Sequence, residues 1–244
     1  MKRDYEIELQ ERVKFIQNII KTSHVSGIVY GNSGGKDCAL VSILCKKAID
    51  NVVGIIMPCE SSQNYGSDME DARKVAEQFN IDNVVIDLTD TKKEILKSIS
   101  STCEVNKLAS SNIAPRLRMT TLYTYAQANN LLVAGTGNAC ERYVGYFTKW
   151  GDGAHDFNPI SDLTVSEIYE FLEYLDAPSS IISKKPSAGL YEGQTDEKEM
   201  NVTYSEIEDY INGNEIKKES KDIIERMHNN SLHKLQPISV YKDK

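Results

Sequence analysis

The sequence lacks the marks of a secreted, zinc-binding or membrane-spanning protein. Its five cysteines include no C-x-x-C pair, and their number is odd. This argues against a zinc site and against a disulfide framework, and it suits a reducing cytosol. No stretch approaches the roughly 18 apolar residues of a membrane span. Residues 1–5 open a polar segment without the apolar centre of a signal peptide, so we expect a cytoplasmic protein that does not bind membranes.

Positive charge is also scarce. The chain has 28 lysines and arginines against 36 aspartates and glutamates, which gives a net charge of −8. Such a chain is poorly suited to non-specific nucleic-acid binding, and we expect no nucleic-acid partner. Its 244 residues contain no internal repeat and no low-complexity tract. This length is normal for one α/β domain, so we expect a single domain over residues 1–244.

The most informative stretch is glycine-rich and covers residues 31–38, Gly-Asn-Ser-Gly-Gly-Lys-Asp-Cys. The apolar run before it predicts a buried strand, and the apolar spacing after it predicts a helix packed by one face. A glycine-rich turn between them points backbone N–H groups at the positive end of the helix dipole, which suits a phosphate. Asp37 would repel a phosphate unless a divalent cation lay between them, so the stretch also predicts a metal ligand.

Strand and helix signals alternate along the rest of the chain. Apolar runs at 25–30, 52–57, 83–88 and 131–134 predict strands, and segments at 4–22, 67–79, from 91 and 114–129 predict helices. Capping boxes are expected at Ser67, Thr91 and Thr203. The order predicts an α/β fold, a doubly wound parallel sheet with helices on both faces. Ligands bind beyond the carboxyl ends of such strands, so loops 31–38, 58–66 and 135–160 should form a nucleotide site.

The loop after the fourth predicted strand nearly spells a dinucleotide-binding fingerprint, Gly-Thr-Gly-Asn-Ala-Cys at 135–140. Its third small position is a cysteine, and Glu141 and Arg142 follow where an apolar helix is required. We therefore reject a Rossmann-type NAD site here. Residues 145–156 mix glycine, aromatic and charged side chains without periodicity. A long irregular loop of this kind inside a compact domain is usually functional.

Several segments of the chain resemble known enzyme families. Residues 33–38 do not fit a Walker A loop, but they resemble the S-G-G-x-D-S loop of the ATP pyrophosphatases, which split ATP into AMP and pyrophosphate. Together with residues 112–119, 135–138, 145–153, 185–190 and 193–197, they resemble the ammonia-dependent NAD synthetases. The match runs from about residue 8 to residue 238.

This resemblance implies a fold and a reaction. The fold would be similar to that of the adenine-nucleotide α-hydrolases, with extra C-terminal helices over 204–230, in a tightly interlocked homodimer. The reaction would be the amidation of nicotinic acid adenine dinucleotide (deamido-NAD) to NAD. It would use ATP as co-substrate, free ammonia and Mg²⁺, and it would pass through an adenylated intermediate with release of AMP and pyrophosphate.

The resemblance also assigns residue roles. Mg²⁺ would be held by Asp37 and Glu141, which with Asp156 would form the catalytic set. ATP would be bound by Gly31, Asn32, Ser33, Gly34, Gly35, Lys36, Asp37, Cys38, Thr136 and Ser187. The dinucleotide would be bound by Arg116, Lys149, Asp156, His233 and Lys234.

Two positions depart from the family pattern. Cys38 replaces the final serine of the loop, where we expect it to act as a small space-filling side chain. Val165 stands where the family has a lysine that contacts ATP, and Lys36 is a candidate to supply the missing charge.

Other readings of these residues stay open at this point. Arg116 and Arg118 lie two apart near a helix start, so we expect one of them on the surface. Segments 58–66 and 184–203 are candidate lids. The chain could instead be an ATP pyrophosphatase that amidates a different nucleotide, or a catalytically impaired nucleotide-binding homologue. About 24 residues precede the first predicted strand and fewer follow the last predicted helix, so neither segment could form a glutaminase domain and we expect free ammonia as the nitrogen source.

Overall fold

Strands and helices alternate along the chain, as the sequence predicts. The structure is a computed structural model and describes residues 3–60, 66–183 and 195–241. The strands are β1 (Gly27–Gly31), β2 (Val52–Ile56), β3 (Asp82–Val85) and β4 (Leu131–Ala134). The helices are α1 (Tyr5–Ser23), α2 (Lys36–Ala48), α3 (Ser67–Phe79), α4 (Thr89–Ser100), α5 (Lys107–Ser111), α6 (Ile113–Asn129), α7 (Ala139–Val144), α8 (Val165–Tyr174), α9 (Ser179–Ile182), α10 (Asp196–Met200), α11 (Tyr204–Ile211) and α12 (Lys218–Leu235). None of the helices in these ranges is both long and apolar enough to cross a bilayer.

The sheet is parallel, with the strand order β3-β2-β1-β4. The chain moves outward from β1 through β2 to β3, then returns to add β4 on the other side of β1. Ile28 accordingly lies in register with Val52 on one side and with Leu132 on the other. The reversal between β1 and β4 creates a switch point, which is where such sheets bind ligands.

Different helices cover the two faces of the sheet. Along β1, Ile28 and Tyr30 join an apolar cluster that includes Phe171 of α8 and residues of α1 and α2. Val29 points to the opposite face and joins a second cluster that includes Ala126 of α6. This alternation follows from the two-residue period of a strand. It confirms the predicted parallel sheet with helices on both faces.

The predicted C-terminal helices are also present, and they form a third apolar cluster. Val165 of α8, Tyr204 and Ile207 of α11 and Ile224 of α12 pack there with Cys140 of α7. The predicted capping box at Thr203 is confirmed, because Thr203 accepts a hydrogen bond from the Glu206 N–H and Glu206 accepts one from the Thr203 N–H. The cluster places the end of the chain against α7, next to the switch point.

Two other predicted capping boxes are wrong. Helix α3 begins at Ser67, but its N-cap is Gly66. Helix α4 begins at Thr89, before the predicted start, and its N-cap is Leu88. The backbone decides the start of α4, because the Leu88 N–H is fixed on the Pro58 carbonyl beside β2. A capping sequence predicts a helix start only where the preceding backbone leaves its N–H groups open.

An ion-pair network ties α1 to the loop before α8. Arg12 is buried and donates two hydrogen bonds to Asp162, from Nη1 to Oδ1 at 2.7 Å and from Nη2 to Oδ2 at 2.8 Å. It also donates to the Pro159 carbonyl and to Glu8. Burial of Asp162 disfavours its charged form, but the Arg12 guanidinium outweighs this and holds the pKa of the carboxyl below its usual value.

We expect Asp162→Asn to lower the free energy of unfolding by about 0.5–1 kcal/mol near neutral pH, because one charged partner of Arg12 is lost and about half of the Asp162 side chain is exposed to screening by solvent. Asp162 has a depressed pKa in the folded state, so its contribution is present above the unfolded value of about 3.9 and is lost as pH falls through the folded pKa. The gap between wild type and variant should therefore be constant from pH 7 to about pH 5 and close below about pH 4. Urea denaturation across this range measures it.

The matched control is Asp90→Asn, because the Asp90 side chain is almost fully exposed and Lys93, with which it forms an ion pair, is also exposed. We expect its unfolding curves to follow those of wild type at every pH. An Asp162→Asn gap that stays the same down to pH 3 would contradict the proposed stabilisation by the ionised carboxylate.

Candidate active site

The glycine-rich loop leaves β1 and is held against the start of α3. Asn32 donates hydrogen bonds to the Ala72 carbonyl and to Asn83, and its Oδ1 accepts the Gly34 N–H. Gly34 has a positive φ of 71°, and a Cβ there would overlap the Asp68 carbonyl oxygen. Only glycine fits this backbone without strain. The loop is therefore a fixed structure that presents the N-terminus of α2 to the cleft.

The start of α2 is open towards that cleft. Its N-cap is Gly35, which has no side chain to accept a hydrogen bond from the first N–H groups of the helix. Ser33 accepts the Gly35 N–H at 3.3 Å and contacts Cys38 Sγ at 3.1 Å. Burial raises the pKa of the Cys38 thiol, so this side chain fits the space-filling role expected for it. Uncapped N–H groups at the positive end of a helix are suited to an anion.

The residue after the loop, Asp37, meets the second loop of the switch point. Asn138 donates from Nδ2 to Asp37 Oδ1 at 3.2 Å. Asn138 is also the N-cap of α7, where its Oδ1 accepts the Glu141 N–H and its own N–H donates to Glu141 Oε2 at 3.1 Å. One buried asparagine thus fixes both predicted metal ligands, Asp37 and Glu141, at the ends of neighbouring strands.

We did not predict α7 or the role of Asn138. The sequence suggested that no helix followed residues 135–140, but α7 begins at Ala139. A usable signal was present, because Asn138 followed three residues later by Glu141 is a capping-box spacing. A Rossmann site is still disfavoured for another reason. Asn138 and Glu141 occupy the start of α7, where a Rossmann site would bind the pyrophosphate.

Negative charge exceeds positive charge around Glu141. Loss of hydration, together with the charge of Asp37, raises the pKa of Glu141, although Lys36 works in the opposite direction. Asp196 of α10 adds a third carboxylate, which accepts a hydrogen bond from the Tyr204 hydroxyl at 2.9 Å. Lys36 is buried, yet Asp37 and Glu141 outweigh the cost of burial and hold its pKa above the usual value. It is therefore charged.

These oxygens fit a divalent cation. Mg²⁺ prefers hard oxygen ligands and is usually held by one or two carboxylates together with water and substrate phosphates. Within the described ranges, no group of three or more acidic, histidine or cysteine side chains has the geometry of a complete metal site. A pair of carboxylates beside an open helix N-terminus matches the incomplete protein site that a phosphate-bound Mg²⁺ requires.

Two lysines connect the loop after α7 to the end of α12. Lys149 donates from Nζ to the His233 carbonyl at 2.6 Å. Lys234 donates from Nζ to the carbonyls of Gly145 and Phe147, each at 2.7 Å. These reciprocal bonds bring Lys149, His233 and Lys234 together, although more than 80 positions separate Lys149 from the other two. Burial lowers the pKa of Lys234.

The loops border a large, partly open cavity of about 1160 Å³. This exceeds the roughly 300–1,000 Å³ of an ordinary ligand pocket, so there is room for two substrates. The predicted residues that line it are Gly31, Asn32, Ser33, Gly35, Lys36, Asp37, Cys38, Arg116, Thr136, Glu141, Lys149, His233 and Lys234. The structure thus brings together nearly all of the side chains that the sequence pointed to.

Other lining residues were not predicted. Arg118, Tyr169 and Asp196 also border the cavity. Arg116 is exposed and Arg118 is half-buried, and both reach the cleft despite their two-residue spacing. Arg118 also donates from Nε to the Met57 carbonyl at 3.2 Å, which holds it at the end of β2.

Asp156 is not among the described residues that line the cavity. Its carboxylate accepts the Val133 N–H at 2.7 Å and the Tyr123 hydroxyl at 3.2 Å, so it fastens the loop to β4 and α6. Ser187 lies outside the described residues, as do residues 61–65 and 184–194 of the two predicted lids. The roles predicted for these positions stay predictions.

The chain is similar to several known proteins. A family model described as NAD synthase matches residues 8–242. The chain is 45% identical over 237 residues to the NH(3)-dependent NAD(+) synthetase of Carboxydothermus hydrogenoformans, and the alignment covers 96% of each chain.

Two solved structures are similar along the whole chain. One is the NMN synthetase from Francisella tularensis, with a TM-score of 0.94 and 37% identity over 99% of this chain and 100% of that one. The other is the NH3-dependent NAD synthetase from Campylobacter jejuni in complex with the nitrate ion, with a TM-score of 0.81 and 28% identity over 99% and 100% of the two chains.

We expect Gly34→Ala to lower the free energy of unfolding by about 2 kcal/mol or more, because alanine resists the positive φ and its Cβ meets the Asp68 carbonyl. The neighbouring Gly35→Ala is the control. Its Cβ would have Ser33 Oγ as nearest neighbour at 3.3 Å, and the cost should stay below about 1 kcal/mol. Urea denaturation measures both. Equal losses in the two variants would show that the loop is not pinned at Gly34.

Proposed function

The chain belongs to the NAD synthase family, and from this premise we propose how its own residues carry out the reaction. The chain is a ligase that uses ATP and ammonia to amidate deamido-NAD to NAD. The observation that carries the proposed mechanism is the pairing of Asp37 with Glu141 through Asn138, beside the open N-terminus of α2.

The reaction needs an activated carboxylate. A nicotinate carboxylate is a poor acyl donor, because an oxide would have to leave. In the first step a carboxylate oxygen attacks the α-phosphorus of ATP, and the bond to the departing pyrophosphate breaks. In the second step ammonia attacks the acyl carbon, the bond to AMP breaks, and one proton is released. No protein nucleophile is required, so the protein has to position the reactants and offset their charge.

The first step brings two anions together, and we propose that the cationic side chains and backbone N–H groups of the cleft offset their repulsion. The N–H groups at the start of α2 face the phosphates. Arg116, Lys149, His233 and Lys234 face the substrate from the other wall of the cavity. Bound Mg²⁺ would supply Lewis-acid neutralisation of the phosphates, and Asp37 and Glu141 are the residues that would hold it. Asp156, by its bonds to Val133 and Tyr123, would keep the substrate-facing loop in place.

A second candidate substrate is the mononucleotide. The NMN synthetase structure has the higher TM-score of the two neighbours, and Asp156, assigned above to the dinucleotide by resemblance, does not line the cavity. Amidation of nicotinic acid mononucleotide would use the same activation and the same ammonia. It would differ only in what occupies the part of the cavity away from the glycine-rich loop.

We further propose that the chain works as a cytoplasmic homodimer built on one catalytic domain. On α6, Thr120, Thr124, Gln127, Ala128 and Asn129 are exposed, which leaves one face of that helix available to a second copy. All five cysteines are free, as expected in a reducing compartment. Light scattering at assay concentrations and cell fractionation test these two points.

The reaction is tested with purified chain, ATP, Mg²⁺ and ammonium chloride. Deamido-NAD and nicotinic acid mononucleotide are supplied in parallel at equal concentrations. We expect one NAD and one AMP per deamido-NAD consumed, because activation transfers the adenylyl group. A higher kcat/KM for the mononucleotide would assign the second candidate substrate. Formation of ADP in place of AMP would contradict adenylation. If neither substrate is converted to its amide, both candidate functions are contradicted.

The metal role of Glu141 can be separated from its capping role. Glu141→Gln keeps an oxygen that can accept the Asn138 N–H, so we expect no loss of free energy of unfolding. It removes the charge that would hold Mg²⁺, so we expect kcat/KM for ATP to fall by about 10²-fold or more. Glu141→Ala should lose both activity and stability. Wild-type turnover by Glu141→Gln at ordinary magnesium concentrations would contradict the assignment.

A further inference from the structure

Lys36 occupies an unfavourable place for a cation. It is the first residue of α2, at the positive end of the helix dipole, and it is only 6% exposed. A buried ammonium there is stable only if nearby anions offset both costs. Its Nζ lies 2.8 Å from Asp37 Oδ2 and 5.6 Å from the centre of the Tyr204 ring.

Lys36 forms an ion pair with one proposed metal ligand, Asp37, and the other, Glu141, also favours its charged form. Asp37 receives Lys36 on Oδ2 and the Asn138 amide on Oδ1, so both of its oxygens already have a partner. Glu141 is fixed by the same asparagine through its capping bond. A divalent cation arriving alone at Asp37 would meet an ammonium at hydrogen-bonding distance from the same oxygen. Two cations at that separation repel strongly in a site shielded from water.

We propose that Lys36 is a positioning residue, the resident counter-ion of Asp37 and Glu141, and that it keeps free divalent cations off this pair until ATP arrives with its own cation. The inference rests on the proposed function and extends it to the order of loading. The triphosphate of ATP removes this repulsion, because its negative charges can bind both the divalent cation and the Lys36 ammonium. Lys36 lines the cavity, so its Nζ can turn to the phosphates without leaving the site.

The test measures metal binding without nucleotide and without turnover. Mn²⁺ serves as the probe and is titrated by electron paramagnetic resonance into wild type, Lys36→Met and Lys36→Gln. Wild type should bind free Mn²⁺ weakly. Both variants lose the competing charge, and we expect them to bind it at least about tenfold more tightly.

Lys92→Met is the matched control. Lys92 is as buried as Lys36, at 8% exposure, and it pairs with Glu60 at 2.7 Å, but it does not line the cavity. We expect its affinity for Mn²⁺ to equal that of wild type. The double variant Lys36→Met with Asp37→Asn should lose the gain, because the added binding belongs to the carboxylate pair.

Three results would overturn the proposal: no gain in either Lys36 variant, an equal gain in Lys92→Met, or a gain that survives in the double variant. Circular dichroism with and without Mn²⁺ accompanies the titrations. A Lys36→Met chain that folds only with Mn²⁺ supports the proposal, since the metal then replaces the ammonium. If the Lys36 variants bind Mn²⁺ more tightly but wild type makes no amide in the ligase assay, only the proposed function is contradicted. If wild type is an active ligase but the Lys36 variants bind Mn²⁺ no more tightly, only this inference is contradicted.

Discussion

The pairing of β4 beside β1 is the constraint on which the site depends. It places the glycine-rich loop and residues 135–138 at one edge of the sheet, although about a hundred positions separate them in the chain. Asn138 then joins the two loops by its bond to Asp37. If β4 lay at the far edge beside β3, Asp37 and Glu141 would be separated by the width of the sheet. The chemistry of the cleft is therefore a consequence of strand order.

The parts that the sequence predicts well are local. Residues 25–38 carry a strand, a glycine-rich turn and a helix start within one short stretch, so their geometry follows from neighbours in the chain. The parallel sheet with helices on both faces follows from the alternation of strands and helices, but the strand order β3-β2-β1-β4 does not. The cavity-lining position of Arg116 and Lys149 was reached by resemblance, and no periodicity in the chain would have indicated it.

The parts that the sequence does not predict depend on distant contacts. Nothing near Lys149 indicates that its ammonium meets the His233 carbonyl, and nothing near Lys36 indicates Tyr204. The misplaced start of α4 has the same cause, because a bond from Leu88 to Pro58 decided it. Asn138 differs from these, since its three-residue spacing from Glu141 is a local capping signal that the sequence itself carries beside the glycine pattern.

The distribution of cations across the cavity follows from the number of donors on each lysine. An ammonium has three N–H donors. Lys149 uses one on the His233 carbonyl and Lys234 uses two on Gly145 and Phe147, so each keeps at least one for a ligand. A carbonyl bond fixes the ammonium in place without neutralising its charge, whereas the bond of Lys36 to Asp37 pairs it with an opposite charge. Lys149 and Lys234 can therefore still offer positive charge to an anionic ligand, whereas the charge of Lys36 is already matched by Asp37. Under the proposed function, that difference would favour the approach of two polyanionic reactants from opposite sides of the same cleft.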